Sequence, residues 1–197
     1  MKTGAILIGN LSALSSLEQV KAYARKGLTV FALELLPRIG RAQSMDVLSS
    51  QSNLAGYKAV LDATNEFTRA LPMMMTAAGT IPPAKVIVLG AGVAGLQAIA
   101  TARRLGAIVT AYDVRPAVKE QVESLGAKFI EVDPNAIKDA ENRDGYATEM
   151  SSDYQEKQRE VLQKALKKND IVICTALIPG RPAPLLIPED VVEGMRE

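Results

Sequence analysis

Short apolar runs alternate with helically spaced apolar positions along most of this chain. In its N-terminal region, strands are predicted at Gly4–Gly9 and Leu28–Leu33, and apolar spacing predicts a helix over Leu14–Arg25 between them. Gly27 is expected to end that helix in the left-handed conformation. Two strands are too few to bury both faces of a sheet, so this region is predicted to be a fragment of an α/β domain.

A polar segment and a long helix follow. Leu36–Ser49 contains proline, glycine and serine and is predicted to be a loop. Apolar positions recur at helical spacing over Ser50–Leu71, and Pro72 is expected to stop the helix. Met73–Pro83 is predicted to be a linker, whose three methionines are better explained by packing than by a soft contact surface.

The second half alternates strands with helices. Strands are predicted at Val86–Leu89, Ile108–Tyr112, Lys128–Val132 and Ile171–Thr175, and helices at Val93–Leu105, Ala117–Leu125 and Tyr154–Lys168. This alternation predicts right-handed crossovers and a doubly wound parallel sheet of the Rossmann type. Asp139–Ser152 is predicted to be a mobile loop.

Three regions are therefore expected. Residues 1–50 form a partial N-terminal α/β domain, residues 51–72 a connecting helix, and residues 73–197 a Rossmann domain that is incomplete at its C-terminus. The chain has the pattern of a protein truncated at both ends.

Composition narrows the possible functions. Hydrophobic residues make up 48% and charged residues 23%, which is typical of a soluble globular protein. The net charge of +1 argues against a nucleic-acid partner, which requires a basic face. Neither a signal peptide nor a transmembrane segment is predicted, and the one cysteine cannot form an intrachain disulfide. Histidine is absent, so any chemistry must proceed without the commonest general acid or base.

A glycine-rich turn lies in the sequence VIVLGAGVAGLQAIATARRLGAIVTAYD. It follows an apolar strand and opens a helix, which is the context that a dinucleotide fingerprint requires. Gly90 permits the tight turn, Gly92 lets the backbone approach a pyrophosphate, and Gly95 allows close packing of helix and sheet. Val93 and Ala94 belong to the same helix start, where free N–H groups favour phosphate.

An acid ends the next predicted strand. Asp113 lies about 20 residues beyond the glycines, where the ribose-binding carboxylate is expected. A carboxylate accepts hydrogen bonds from a ribose diol and repels a 2′-phosphate, which favours NAD(H) over NADP(H). Arg115 leaves NADP(H) open, because an arginine can pair with that phosphate. Val114 lies between the two residues and is predicted to line the same site.

Several long blocks resemble one family. They are Arg38 to Asp46 (RIGRAQSMD), LSSQSNLAGYKAVLDA, MMMTAAGTIPPAKVIVLGAGVAGLQAIATARRLGA, DVRPAVKEQVESLGAKF, GYATEMS and TALIPGRPAP. In this order they resemble the NAD(H)-binding component of proton-translocating nicotinamide nucleotide transhydrogenase, within the alanine dehydrogenase/pyridine nucleotide transhydrogenase family. The resemblance implies direct hydride transfer to or from NADP(H) on a partner component, coupled to proton translocation.

The resemblance also implies site residues. Arg38, Asp46 and Ser49 would hold the nicotinamide carboxamide, and Gln43 would reach toward the other nucleotide. An amide offers both donors and an acceptor, so a rigid set of complementary groups would fix the ring for transfer. From the residues alone, an ordinary loop ion pair between Arg38 and Asp46 is the preferred interpretation.

Two further segments match. Residues 142–150 correspond to a loop that closes over bound nucleotide, with Tyr146 as the covering residue. Residues 176–184 correspond to a loop that borders the nucleotide. Thr175, Ala176 and Leu177 are therefore expected to contact the cofactor.

The resemblance implies partners as well: an NADP(H)-binding component, a membrane component and a second copy in a homodimer. It implies a location at the cytoplasmic face of an inner membrane or on the mitochondrial matrix side. Two alternatives stay open, an alanine-dehydrogenase-like enzyme and a non-catalytic NAD-binding module. Amino-acid oxidation usually needs a histidine or lysine to move a proton, so the absence of histidine favours transhydrogenase.

Overall fold

The computed structural model describes residues 1–37, 39–132, 152–178, 180, 182–183 and 185–195. These residues form two compact units. The first unit comprises Met1–Gln51 and Pro179–Pro182, and the second comprises Ser52–Ile178 and Ala183–Glu197.

The first unit contains a strand–helix–strand motif. Strands β1 (Ile6–Gly9) and β2 (Thr29–Ala32) pair in parallel, and helix α1 (Leu17–Arg25) connects them. Gly27 has a φ of +61° and donates its N–H to the carbonyl of Ala24 at 2.9 Å, as predicted for a helix end. Helix α1 begins later than predicted, because the preceding residues form a turn.

The segment after β2 is more ordered than predicted. It forms two 3₁₀ helices, Leu33–Leu35 and Gly40–Met45, and then enters helix α2 (Val47–Glu66). The prediction of a loop over Leu36–Ser49 was therefore wrong, and α2 both begins and ends earlier than predicted. The cause at its start is Asp46, which accepts the Ser49 backbone N–H at 2.9 Å and so caps the helix.

The predicted linker is a β-hairpin. Strands β3 (Met74–Thr76) and β4 (Gly79–Ile81) pair in antiparallel fashion. The three methionines are exposed, with Met75 at 72% relative accessibility, so the prediction that packing explains them was wrong.

The second unit is built on a parallel sheet. Its strands are β5 (Lys85–Leu89), β6 (Ile108–Tyr112), β7 (Lys128–Phe129) and β8 (Ile171–Cys174), in the order β7-β6-β5-β8. Its further helices are α3 (Val93–Arg104), α4 (Lys119–Ser124), α5 (Ser152–Leu166) and α6 (Glu189–Val192). This arrangement confirms the predicted α/β fold with a Rossmann-like parallel sheet. Strand β7 ends earlier than predicted, and helix α4 begins later than predicted because a 3₁₀ turn at Pro116–Val118 precedes it.

Central strand β5 carries the core on both of its faces. Val86 and Val88 belong to a cluster that includes Ile99 of α3, whereas Ile87 and Leu89 belong to a second cluster that includes Leu162 of α5. These four β5 side chains are fully buried, which explains why they form a continuous apolar run in the sequence.

Glu34 holds a loop of the first unit. Its carboxylate accepts the backbone N–H of Ala13 at 2.8 Å and of Leu11 at 3.1 Å. Burial raises the pKa of this carboxyl, but the backbone hydrogen bonds, from Ala13 first, outweigh burial and leave the pKa below its usual value.

Replacing Glu34 with glutamine is expected to lower the free energy of unfolding of the first unit by about 1–2 kcal/mol at neutral pH. The reason is that the backbone N–H groups would then donate to a neutral amide oxygen and no longer to a charged carboxylate. Since the folded pKa is depressed, this stabilisation is present above the unfolded pKa and disappears as pH falls through the folded pKa. Urea unfolding of both proteins from pH 7 downward checks this. If the free energies of unfolding of the two proteins differed by the same amount at every pH in that range, the stabilising role of the Glu34 carboxylate would be contradicted.

Candidate nucleotide-binding site

The carboxyl ends of three parallel strands define the candidate site. Strand β5 leads into Gly90, β6 into Asp113 and β8 into Thr175. The chain crosses from β5 toward β6 and β7 on one side, whereas β8 pairs with the other edge of β5. This reversal between β5 and β8 is the topological switch point at which open α/β sheets bind ligands.

At two of its three glycines, the turn after β5 leaves no room for a side chain. Gly90 has a φ of +96°, and a Cβ there would lie 2.9 Å from the Ala176 backbone nitrogen. A Cβ on Gly95 would overlap the carbonyl oxygen of Gly90, so α3 approaches the turn closely only because Gly95 lacks one. At Gly92, a Cβ would meet only the Nη2 of Arg115, at 3.9 Å.

Asp113 reaches back to the same turn. Its Oδ2 accepts the backbone N–H of Ala91 at 2.7 Å, which joins the end of β6 to the glycine turn. Its side chain is 6% exposed and forms an ion pair with Arg115 at 2.8 Å. The structure thus brings the predicted acid and the predicted glycines together. Arg115 pairs with the acid here.

The segment after β8 packs on the turn from the other side. The hydroxyl of Thr175 donates to the carbonyl of Gly90 at 2.9 Å, so this side chain orders the turn. Ala176 lies over Gly90 through its backbone, and Leu177 is 65% exposed. Val114 packs against the core cluster that contains Tyr112.

Helix α2 supports the start of α3 through a residue that the sequence did not single out. A Cβ on Gly56 would overlap the carbonyl oxygen of Ala94, in the first turn of α3 beside Val93. Next to this contact, the Asn53 side-chain amide donates to the Oε1 of Gln97 at 3.1 Å. This role depends on a contact between distant parts of the sequence, and no local pattern around Gly56 indicates it.

If the turn after β5 binds a dinucleotide, replacing Gly56 with alanine is expected to weaken that binding by roughly tenfold, because the added methyl displaces the first turn of α3. Gly9→Ala is the matched control, since its Cβ would meet only Leu11 at 3.9 Å. Fluorescence titration of both variants with NADH provides the measurement. Equal affinities of the two variants would rule out a supporting role for Gly56.

A buried tyrosine pair lies behind Asp113. The hydroxyl of Tyr112, the last residue of β6, lies 3.1 Å from that of Tyr154 on α5. Burial, and then the hydrogen bond to Tyr154, raises the pKa of Tyr112 far above its usual value. The phenol therefore stays neutral and acts as a structural link between α5 and the strand that carries the acid.

The first unit contains a small pocket of its own. Its volume is about 160 Å³, and its lining consists of Leu36, Pro37, Ile39, Ala42, Gln43, Asp46 and Ser49. Pockets for whole drug-sized ligands are typically about 300–1,000 Å³, so this one suits a single ring with a small substituent. The structure therefore brings together two of the residues that the resemblance assigned to the nicotinamide, Asp46 and Ser49, and Gln43, which it expected to reach toward the other nucleotide.

The polar groups of this pocket are already ordered. Asp46 accepts the Ser49 hydroxyl at 2.6 Å in addition to its backbone N–H. Because that hydroxyl donates its hydrogen to Asp46, its oxygen is available to accept from an amide. Arg38 and Tyr146, the other predicted residues at the nicotinamide and in the closing loop, lie outside the described residues.

The glycine turn from Gly90 to Gly95 forms, with Asp113 and Thr175, a cradle whose chemistry fits a dinucleotide. A pyrophosphate could approach the turn at Gly92, the first turn of α3 offers backbone N–H groups and a favourable dipole, and Asp113 lies where the acceptor for a ribose would be expected. Over the described ranges, no group of three or more His, Cys, Asp or Glu side chains could hold a metal ion. None of the described helices is both long and apolar enough to cross a membrane.

Family models match both regions of the chain. Residues 59–197 match the C-terminal domain of "Alanine dehydrogenase/PNT", and residues 1–55 match its N-terminal domain. The chain belongs to the alanine dehydrogenase/pyridine nucleotide transhydrogenase family. This confirms the resemblance inferred from the sequence blocks.

Within this family, the chain is more similar to transhydrogenases. It is 61% identical to an NAD(P) transhydrogenase alpha subunit of Rhodospirillum rubrum, covering 100% of this chain and 51% of that protein. A transhydrogenase structure from Sinorhizobium meliloti matches with a TM-score of 0.83 and 57% identity, covering 99% of this chain and 51% of that one. An L-alanine dehydrogenase structure matches with a TM-score of 0.70 and 25% identity, covering 100% of this chain and 48% of that one. The chain spans about half the length of the relatives it matches.

Proposed function

We propose that this family member binds NAD(H) and presents it for direct hydride transfer to or from NADP(H) on a partner component, coupled to proton translocation. The observation that carries the proposal is the cradle at the switch point, where Asp113 bonds to the glycine turn through Ala91 at 2.7 Å. The 61% identity to an NAD(P) transhydrogenase alpha subunit supports the reaction.

Each group of the cradle has a defined task. Gly90, Gly92 and Gly95 keep the turn free of side chains, so that backbone N–H groups reach the phosphates. Asp113 accepts hydrogen bonds from the ribose diol and disfavours a 2′-phosphate, which selects NAD(H). Thr175 maintains the shape of the turn through its bond to the Gly90 carbonyl.

The pocket of the first unit would orient the reacting ring. When bound, NAD(H) supplies or receives the hydride at its nicotinamide. Asp46 and Ser49 would bind the carboxamide, with Arg38 as a third contact, and Gln43 would face the second nucleotide. Transfer between two nicotinamide rings requires alignment and not a proton donor, which suits a chain that has no histidine.

The partners follow from the same proposal. An NADP(H)-binding component would accept the hydride, and a membrane component would couple the reaction to protons. We propose a homodimer held at the cytoplasmic face of an inner membrane or on the mitochondrial matrix side.

Mixing the protein with the NADP(H)-binding component tests this function. With NADPH present, we expect reduction of an oxidised NAD analogue, which absorbance can follow. The alanine-dehydrogenase alternative predicts instead that alanine reduces NAD without the partner. Tight NADH binding with neither activity would indicate a non-catalytic module and contradict the proposal.

A further inference from the structure

The carboxylate of Asp113 already has a full set of donors from its own chain. It accepts the backbone N–H groups of Ala91 at 2.7 Å and Arg115 at 2.9 Å. It also accepts two bonds from the Arg115 guanidinium, from Nε at 2.9 Å and from Nη2 at 2.8 Å. A carboxylate offers about four acceptor positions, so these four bonds use them all.

The four bonds differ in how readily they can be exchanged. The two backbone donors are fixed by the glycine turn and by the turn after β6. The two guanidinium donors are carried by a flexible stem, and the Arg115 side chain is 13% exposed. A ribose diol brings two hydroxyl donors, which is the number that Arg115 would vacate.

The guanidinium also lies next to the expected phosphate path. Its Nη2 is 3.9 Å from the position of a Cβ on Gly92. An arginine that leaves Asp113 would therefore move within reach of a pyrophosphate on the glycine turn. Its charge would exchange a carboxylate partner for a phosphate partner.

We propose that the guanidinium of Arg115 competes with the adenosine ribose for the Asp113 carboxylate. The ribose diol displaces the guanidinium, which then binds the pyrophosphate. This inference rests on the proposed function, because it takes Asp113 as the ribose acceptor. Arg115 would then lower the protein's affinity for an uncharged nucleoside and support its affinity for a dinucleotide.

Removal of the guanidinium separates these two effects. Arg115→Met should bind adenosine about tenfold more tightly than the wild type, because adenosine meets the competitor but has no phosphate to offer it. The control ligand 2′,3′-dideoxyadenosine lacks both hydroxyls and should show no gain. NADH affinity should stay equal or fall. Unchanged or weaker adenosine binding would overturn the proposal, as would an equal gain for the dideoxy compound.

The wild-type protein provides a second test that does not depend on the folding of the variant. The ¹⁵N-labelled Nε–H resonance of Arg115 should shift, and its exchange with water should accelerate, when adenosine saturates the site. Dideoxyadenosine should leave it unchanged. An Arg115 resonance undisturbed by saturating NADH would overturn this inference alone, whereas failure to bind NADH at all would overturn the proposed function together with it.

Discussion

Replacing Gly92 with alanine is expected to weaken NADH binding by at least about tenfold while leaving the free energy of unfolding nearly unchanged. The chain itself tolerates the methyl, since a Cβ at Gly92 meets only the Nη2 of Arg115, at 3.9 Å. The methyl would, however, stand on the surface that a pyrophosphate must approach. Isothermal titration with NADH and thermal unfolding of the same samples measure the two quantities.

Gly95→Ala is the matched comparison. A Cβ there would overlap the Gly90 carbonyl, so either the turn or α3 must move. This variant should lose about 1–3 kcal/mol of stability as well as NADH affinity, as overpacked cores do. A Gly92→Ala protein that binds NADH like the wild type would show that the pyrophosphate does not lie on this turn.

Replacing Gln43 with asparagine is expected to slow hydride transfer by roughly ten- to hundredfold, because a displacement of about 1 Å near the reacting atoms can cost that much. NADH affinity should hardly change, since adenosine and pyrophosphate supply most of the binding surface. Transfer to an NAD analogue, measured with the NADP(H)-binding component present, gives the rate.

Gln51→Asn makes the same chemical change at an exposed position of α2 that does not line the pocket. It should transfer hydride at the wild-type rate. Equal rates of hydride transfer for the Gln43 and Gln51 variants would show that Gln43 has no role in the reaction.

The cradle was predictable from the sequence because its signals are local. An apolar strand, three glycines at fixed spacing, a helix and a terminal acid occupy one continuous stretch from Val86 to Asp113. Gly90 and Gly95 have steric reasons within the chain, and the buried β5 side chains explain the apolar run before them. The three polar pocket residues came from the family resemblance, since their spacing alone equally suits a capped helix.

Other features depend on contacts between distant regions of the chain. The overlap of Gly56 with Ala94 and the bonds of Glu34 to a loop more than 20 residues away leave no periodic signal. The hairpin at Met74–Ile81 was missed because its strands are short and its methionines are exposed, so it lacks the alternation that marks a half-buried strand. The orientation of Arg115 toward Asp113 likewise required the structure.

Titration of the wild-type protein with NADH and NADPH tests the central claim most directly. The cradle predicts that NADH binds at least about tenfold more tightly, because a 2′-phosphate would face the Asp113 carboxylate and the diol bonds would be lost. Equal affinities, or a preference for NADPH, would contradict the assignment of Asp113 and with it the proposal that this chain is the NAD(H)-binding partner in hydride transfer.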